Sequence, residues 1–179
     1  MRRFLPCLAL PLAVLSCSGD RSPIDIASAG PWTELYGEMN KRGIDLAIEE
    51  LNARGGVRGR QLRLTSRDDG ADGGKAAAIA SEFVANRSIV AVVGHVNSGA
   101  MVAAARVYDL GLPAVSTTAS SPDLTGISPW VFRVISSDSA NGIAMARFVN
   151  DRKLTRAAIL YENTAYGRGL TQSFRRAFT

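Results

Sequence analysis

The chain has 179 residues, 46% of them apolar and 21% charged. That is enough to pack one domain or slightly more, and it excludes a disordered chain. The formal charge is +5, but Arg2 and Arg3 belong to an expected leader, and the other 19 basic against 16 acidic residues leave +3. The basic residues are dispersed among apolar ones, as at Arg58, Arg60, Arg63 and Arg67. They form no compact stripe with aromatics, so nucleic acid is not an expected partner.

The first segment reads as a secretory leader. Arg2 and Arg3 make a positive start, and residues 4–15 form a charge-free apolar run. The run is shorter than the roughly 20 apolar residues a membrane-spanning helix needs, and it fits the apolar region of a signal peptide. It ends at Val14-Leu15-Ser16-Cys17, which resembles a bacterial lipobox, although Leu15 is a less usual residue at its position. The expected order is a signal peptide over 1–16, a lipid-bearing Cys17 anchored to the membrane, and a polar tether over 17–23. An ordinary cleaved signal peptide without lipid is the alternative. Cys7 leaves with the leader, so the mature domain holds no disulfide. A single histidine gives no metal-ligand set, and no cofactor is expected.

From Ile24 short β-rich runs alternate with amphipathic helices. A strand is predicted over 24–27, broken by Gly30 and Pro31. A helix follows over 37–54, with Ile44, Ala47, Ile48 and Leu51 at helical spacing. Gly55-Gly56 stops it, since glycine takes the left-handed conformation at little cost. Further strands are predicted over 61–66, 89–93, 112–115, 130–134 and 157–161. The helices between and after them are expected over 73–86, 98–110, 138–151 and from 168 onward, with Asp138 as an N-cap. This alternation predicts an α/β fold of parallel sheet with crossover helices.

In such sheets ligands bind beyond the carboxyl ends of the strands, against helix N-termini. Three segments lie there. In Gly94-His95-Val96-Asn97-Ser98-Gly99, the Ser98 hydroxyl and the free N–H groups behind it suit a carboxylate, although Ser98 also reads as a plain helix cap. Ser116-Thr117-Thr118-Ala119-Ser120-Ser121-Pro122 is dense in hydroxyls, and also reads as a plain polar loop. Glu162-Asn163-Thr164-Ala165-Tyr166-Gly167-Arg168-Gly169 offers the Tyr166 ring, which could equally lid the core.

The order and spacing of several such segments resemble the leucine/isoleucine/valine-binding family of periplasmic receptors. They are Tyr36-Gly37-Glu38, then Ala47 through Arg60, Arg67-Asp68-Asp69, Val93-Gly94-His95 with Ser98, Ser120-Ser121-Pro122 before Leu124-Thr125, Val131-Phe132-Arg133, and Ala165 through Gly169. The resemblance implies a type I periplasmic-binding-protein fold with two α/β lobes closing on a ligand, helices on both faces of each sheet, and the second lobe incomplete here. The first lobe is expected over 24–136 and the start of the second over 137–179. It implies an extracytoplasmic receptor that passes a branched-chain or other amino acid to the membrane subunits of an ABC importer. Ser98 with the Val96 segment, and the loop of Ala119 and Ser120, are implied to hold the ligand's carboxylate and ammonium. Tyr36 and Tyr166 are implied to line the cleft from opposite lobes. The family's acidic partner for the ammonium is expected beyond Thr179. The Arg67–Asp68–Asp69 group reads instead as a pin between a strand end and its loop.

Other readings are a sensory domain of the same fold, and a receptor for amides, urea or an aromatic acid. The remote alternative is a hydrolase built on Ser98 and His95, but no Gly-x-Ser-x-Gly elbow is present, and catalysis is not expected. The chain stops within an apparent amphipathic helix, which predicts an incomplete protein with weak ligand affinity, whose Leu170, Phe174 and Phe178 lack partners.

Overall fold

A computed structural model describes residues 22–179. The leader, Cys17 and the tether as far as residue 21 lie outside the described residues. The elements in order are β1 (Ile24–Gly30), α1 (Leu35–Ala53), β2 (Leu62–Asp68), α2 (Gly73–Ala85), β3 (Ile89–Gly94), α3 (Ser98–Tyr108), β4 (Ala114–Ser116), a 3-10 turn (Pro122–Leu124), β5 (Val131–Arg133), α4 (Asp138–Asp151) and α5 (Ala165–Ala177). The five strands form one parallel sheet in the order β2-β1-β3-β4-β5. The order reverses between β1 and β3, so the loops leaving those two strands diverge and open a crevice between them.

Alternation along the strands assigns the two faces. Ala27 and Ala29 of β1, Val92 of β3 and Ala114 of β4 point into the main core with Phe83, Met101 and Tyr108, all fully buried. The α2 and α3 helices cover this face through Ala76, Ala80, Ala100 and Ala104, whose small side chains permit close approach. Each large apolar side chain buried there contributes about 1.5–3 kcal/mol. On the other face α1 stands over Ile26, Leu62 and Val93 across an apolar groove of about 620 Å3. Only Gly37 and Ile44 of α1 are buried. A Cβ at Gly37 would lie 1.8 Å from the Pro31 carbonyl oxygen, so the first turn of α1 lies against the end of β1 only because it carries glycine.

Ion pairs tie the outer strand down. Arg63 on β2 donates two hydrogen bonds to Asp25 on β1, at 2.6 and 2.7 Å. These bonds hold the Asp25 carboxyl below the usual carboxylate range; burial opposes the shift and the guanidinium charge adds to it. Arg67 bonds to Glu82 of α2 and not to the aspartates that follow it, so the expected Arg–Asp pin is replaced by a strand-to-helix pair.

Two expected caps shift by one residue. Asn97, not Ser98, is the N-cap of α3, and Ser137, not Asp138, caps α4 by accepting from Ser139 N. The strand predicted over 157–161 does not form: no described strand pairs with it, and Leu160 is fully exposed. Apolar β-rich sequence becomes a strand only when a neighbouring edge satisfies its backbone. The helix expected from 168 starts earlier, at Ala165, and packs against α4. The crossing is tight at Gly142, where a Cβ would meet Ser173 Cβ at 2.5 Å. Phe174 is buried there and stacks on Phe178 with ring centroids 5.5 Å apart, so these rings are not without partners.

Candidate functional site

The crevice lies at the carboxyl ends of the strands, where the α1, α3, α4 and α5 segments meet. It holds about 760 Å3 and is lined by Tyr36, Asn40, Val96, Asn97, Ser98, Gly99, Thr118, Ser120, Asp138, Asn141, Glu162, Thr164 and Tyr166 among others. The strand-order reversal accounts for the position of the first group: the loop after β1 delivers Tyr36, and the loop after β3 delivers Val96 to Gly99.

The Ser98 end of the cleft is rich in donors. The α3 N-terminus has no side-chain cap, and the first N–H groups of the helix, at Ser98, Gly99 and Ala100, meet no backbone acceptor among the described residues. Those groups, with the positive end of the helix dipole, favour an anion. Ser98 is nearly buried, and its Oγ accepts from Ser121 N at 3.2 Å. That bond uses a lone pair and leaves the hydroxyl proton free to donate into the cleft. Ser98 is therefore not the helix cap, and one of its jobs is to fix the 120–121 backbone.

The Ser120 end has the opposite polarity. Ser120 Oγ donates to Asp138 Oδ2 at 2.8 Å, and Asp138 N donates back to Ser120 O at 2.9 Å. Asn141 Nδ2 donates to the other Asp138 oxygen at 3.1 Å. With its proton committed to Asp138, Ser120 offers the cleft only lone pairs. Arg133 of β5 holds the same loop by donating to Ser121 O at 2.8 Å and to Thr125 Oγ1 at 2.7 Å. Glu162 adds a second carboxylate to the lining of the crevice.

Tyr36 and Tyr166 are both about half exposed and line the crevice from α1 and α5. Asn97 Nδ2 donates to the Tyr36 hydroxyl at 3.1 Å and steadies that ring. Val96 is buried and contributes to the wall, and its carbonyl accepts from Thr118 Oγ1 at 2.8 Å. The exception is Ala119: its side chain is 1% exposed and belongs to the core, and Thr118 takes its expected position in the lining. In an irregular loop the alternation of buried and open residues is not readable from spacing, so the one-residue error has a plain cause. Of the other polar lining residues, Thr118 and Glu162 fall within the segments expected there without being singled out, and Asp138 and Asn141 lie outside them. The one sequence signal for Asp138 was its position at a helix start, which was read as a cap.

His95 is fully buried. Its Nδ1 lies 2.6 Å from Asp69 Oδ2 and its Nε2 lies 3.0 Å from the Tyr108 hydroxyl. Both ring nitrogens are committed away from the Ser98 hydroxyl. A hydrolase built on Ser98 and His95 therefore has no base at its nucleophile.

A family profile described as periplasmic binding protein matches residues 25–179. The chain belongs to this family. An amino acid binding protein of Pseudomonas aeruginosa is 33% identical over 177 residues, covering 93% of this chain and 47% of the relative. From the same organism, a leucine-, isoleucine-, valine-, threonine- and alanine-binding protein is 35% identical over 159 residues, covering 86% of this chain and 42% of the relative. Among solved structures, an ABC transporter substrate-binding protein from Desulfitobacterium hafniense in complex with Leu superposes with a TM-score of 0.76 at 38% identity, covering 87% of this chain and 47% of the other. A branched-chain amino acid transporter substrate-binding protein from Streptococcus pneumoniae in complex with isoleucine gives a TM-score of 0.79 at 28% identity, covering 88% and 47%. The chain thus spans about half the length of the relatives it matches. The family is one of extracytoplasmic binding proteins with the type I fold, and its members are substrate-binding proteins rather than enzymes.

Proposed function

We propose that this chain supplies the first lobe, residues 24–136, and the opening of the second, residues 137–179, of a receptor. That receptor binds a branched-chain or similar amino acid and hands it to the membrane subunits of an ABC importer. The polarity of the cleft carries this reading. A donor-rich end at Ser98 and the α3 N-terminus lies in the same crevice as an acceptor-rich end at Ser120 and Asp138. A zwitterion matches that arrangement with its carboxylate at the first end and its ammonium at the second. Tyr36 and Tyr166 supply apolar ring faces for a side chain. The likeness to receptors with leucine or isoleucine bound supports the choice of ligand class. We also propose that the leader is removed and that Cys17 carries the lipid anchoring the receptor to the membrane.

The test is an NMR titration of the 15N-labelled chain with leucine, with 4-methylpentanoate, which keeps the carboxylate, and with isoamylamine, which keeps the ammonium. A dissociation constant of about 1 mM corresponds to only about 4 kcal/mol, so titration to about 10 mM reveals even a partial site. Leucine is expected to shift the amides of Ser98, Gly99, Thr118 and Ser120, and each single-charge analogue to shift one end alone. If neither leucine, isoleucine nor valine moves these amides, the reading is wrong.

A further inference from the structure

We propose that His95 is a positioning residue for the cleft, a buried node that sets the three loops forming its first wall in register with one another. The inference rests on reading the crevice as the ligand site. Three connections meet at this residue. Through its side chain, Nδ1 lies 2.6 Å from Asp69 Oδ2, and the other Asp69 oxygen accepts from Ala71 N at 2.8 Å. Ala71 is in the crevice lining, so this link fixes the loop after β2. Through the chain itself, His95 leads directly into Val96, Asn97, Ser98 and Gly99, all in the lining. Through its carbonyl, His95 accepts from Ser116 Oγ at 2.6 Å, and that same Oγ accepts from Ala119 N at 3.0 Å, which fixes the loop carrying Thr118 and Ser120.

The remaining contacts hold the node still. His95 N points at Met101 Sδ at 3.3 Å, and Nε2 is 3.0 Å from the hydroxyl of Tyr108, at the far end of α3. His95, Asp69 and Tyr108 are all fully buried. Burial first, and the Asp69 charge second, push the Tyr108 hydroxyl above the usual phenol range, so it keeps its proton to share with the ring. A buried polar group left unpaired costs more than its hydrogen bond contributes, so this network tolerates one arrangement and penalises the rest. None of the three side chains lines the crevice; their effect on a ligand passes through the loops.

His95 is the single histidine of the chain, so its ring signals are unambiguous by 15N NMR. Two substitutions divide its contacts. In His95→Asn the amide can still donate to Asp69 from near the Nδ1 position, whereas the longer His95→Gln reaches toward Tyr108 and leaves Asp69 Oδ2 without the ring as its partner. His95→Gln is expected to shift the amides of Ala71, Asn97, Ser98, Gly99 and Ala119 together. It is also expected to weaken leucine binding by about fivefold, the coupling typical of residues in one hydrogen-bonded network. His95→Asn is expected to restore most of both. If the two variants behave alike, or if only one loop moves, His95 merely fills the core and the proposal is overturned. Should both variants unfold, Ser116→Ala cuts the carbonyl link alone. It is expected to move the amides of Ala119 and Ser120 and leave Ala71 in place; unmoved Ala119 and Ser120 amides overturn the proposal equally. Wild-type chain that ignores leucine would defeat the ligand reading, and the amide shifts would still decide the role of His95.

Discussion

Ser120 donates its hydroxyl proton to Asp138 across 2.8 Å, and Asp138 returns its backbone N–H to Ser120 O across 2.9 Å. This reciprocal pair joins the loop after β4 to the start of α4 and commits Ser120 to act as an acceptor toward the cleft. Asp138→Ala frees that proton and removes a negative charge from the end assigned to the ammonium. Leucine binding is expected to weaken at least tenfold, while the response to 4-methylpentanoate, which has no ammonium, stays the same. Stability is expected to fall by about 1–3 kcal/mol, because Asn141 and the Asp138 side of the network lose their partner. Parallel titrations of both ligands decide the matter: an equal loss for the two would mean that Asp138 only holds the loop.

Ser98→Ala probes the donor-rich part of the cleft. In the full-length receptor the substitution is expected to remove a charge-assisted hydrogen bond to the ligand's carboxylate, worth roughly 1.5–3 kcal/mol, or about tenfold to a hundredfold in affinity. It also strips Ser121 N of its acceptor. Calorimetry with leucine on the two full-length proteins gives the number. Unchanged affinity with an intact fold would reduce Ser98 to a brace for the 120–121 backbone.

What was legible in the sequence follows from the range of the interactions involved. Ten of the eleven expected helices and strands appear close to their predicted positions, because Ile44, Ala47, Ile48 and Leu51, or the apolar run over 89–93, carry their periodicity locally. The exception, the strand over 157–161, depends on a pairing edge that no local pattern reports. Around the cleft, Ser98, Ser120, Tyr36, Tyr166 and Val96 are singled out by their places at strand ends and by resemblance, and all five line the crevice. Asp138 was misread because an aspartate at a helix start is most simply a cap. The His95–Asp69–Tyr108 chain joins residues up to 39 positions apart with no motif among them, and only the fold brings them together.

The Asp25–Arg63 pair predicts a pH dependence of stability. Hydrogen bonds from Arg63 lower the folded-state value of Asp25 beneath its unfolded value of about 3.9. A carboxyl lowered in this way stabilises the fold fully above the unfolded value and loses that contribution as pH falls through the folded one. In denaturant melts, the gap in midpoint between wild type and Asp25→Asn is expected to be constant from about pH 7 to 5 and to close below about pH 4. A gap that persists at low pH would show that the substitution acts through packing.

Cys17 is expected to be the lipid-bearing first residue of the mature protein, on the order of Arg2-Arg3, the apolar run, Ser16 and the cysteine. Expression in a bacterium fed a labelled fatty acid should mark the wild type and leave Cys17→Ala unmarked. Equal labelling of the two sinks the assignment, and release of an unlabelled, shortened wild type favours an ordinary cleaved leader.

The two faces of the sheet should differ in local stability. The α2 and α3 helices bury Ala76, Ala80, Phe83, Ala100, Met101, Ala104 and Tyr108 against the strands, so their amides can open only when the core does. The α1 helix buries only Gly37 and Ile44, exposes Leu35, Met39 and Leu46, and stands across an apolar groove from Ile26 and Val93. Much of what holds α1 is local: the i,i+4 pairs Lys41–Asp45 and Glu38–Arg42 on its exposed side, worth about 0.3–0.5 kcal/mol each, and the bonds of Asn52 to both backbone groups of Leu62. Hydrogen exchange is therefore expected to be slowest in α3 and β3 and markedly faster along α1, whose ends are tied by Tyr36 and Asn40 to the loops after β3 and β4 and by Asn52 to β2. Asn52→Ala should speed exchange in the last turns of α1 without changing exchange in α3. Protection of α1 equal to that of α3 would mean that the groove beneath it is closed in solution, and that the helix is part of the core.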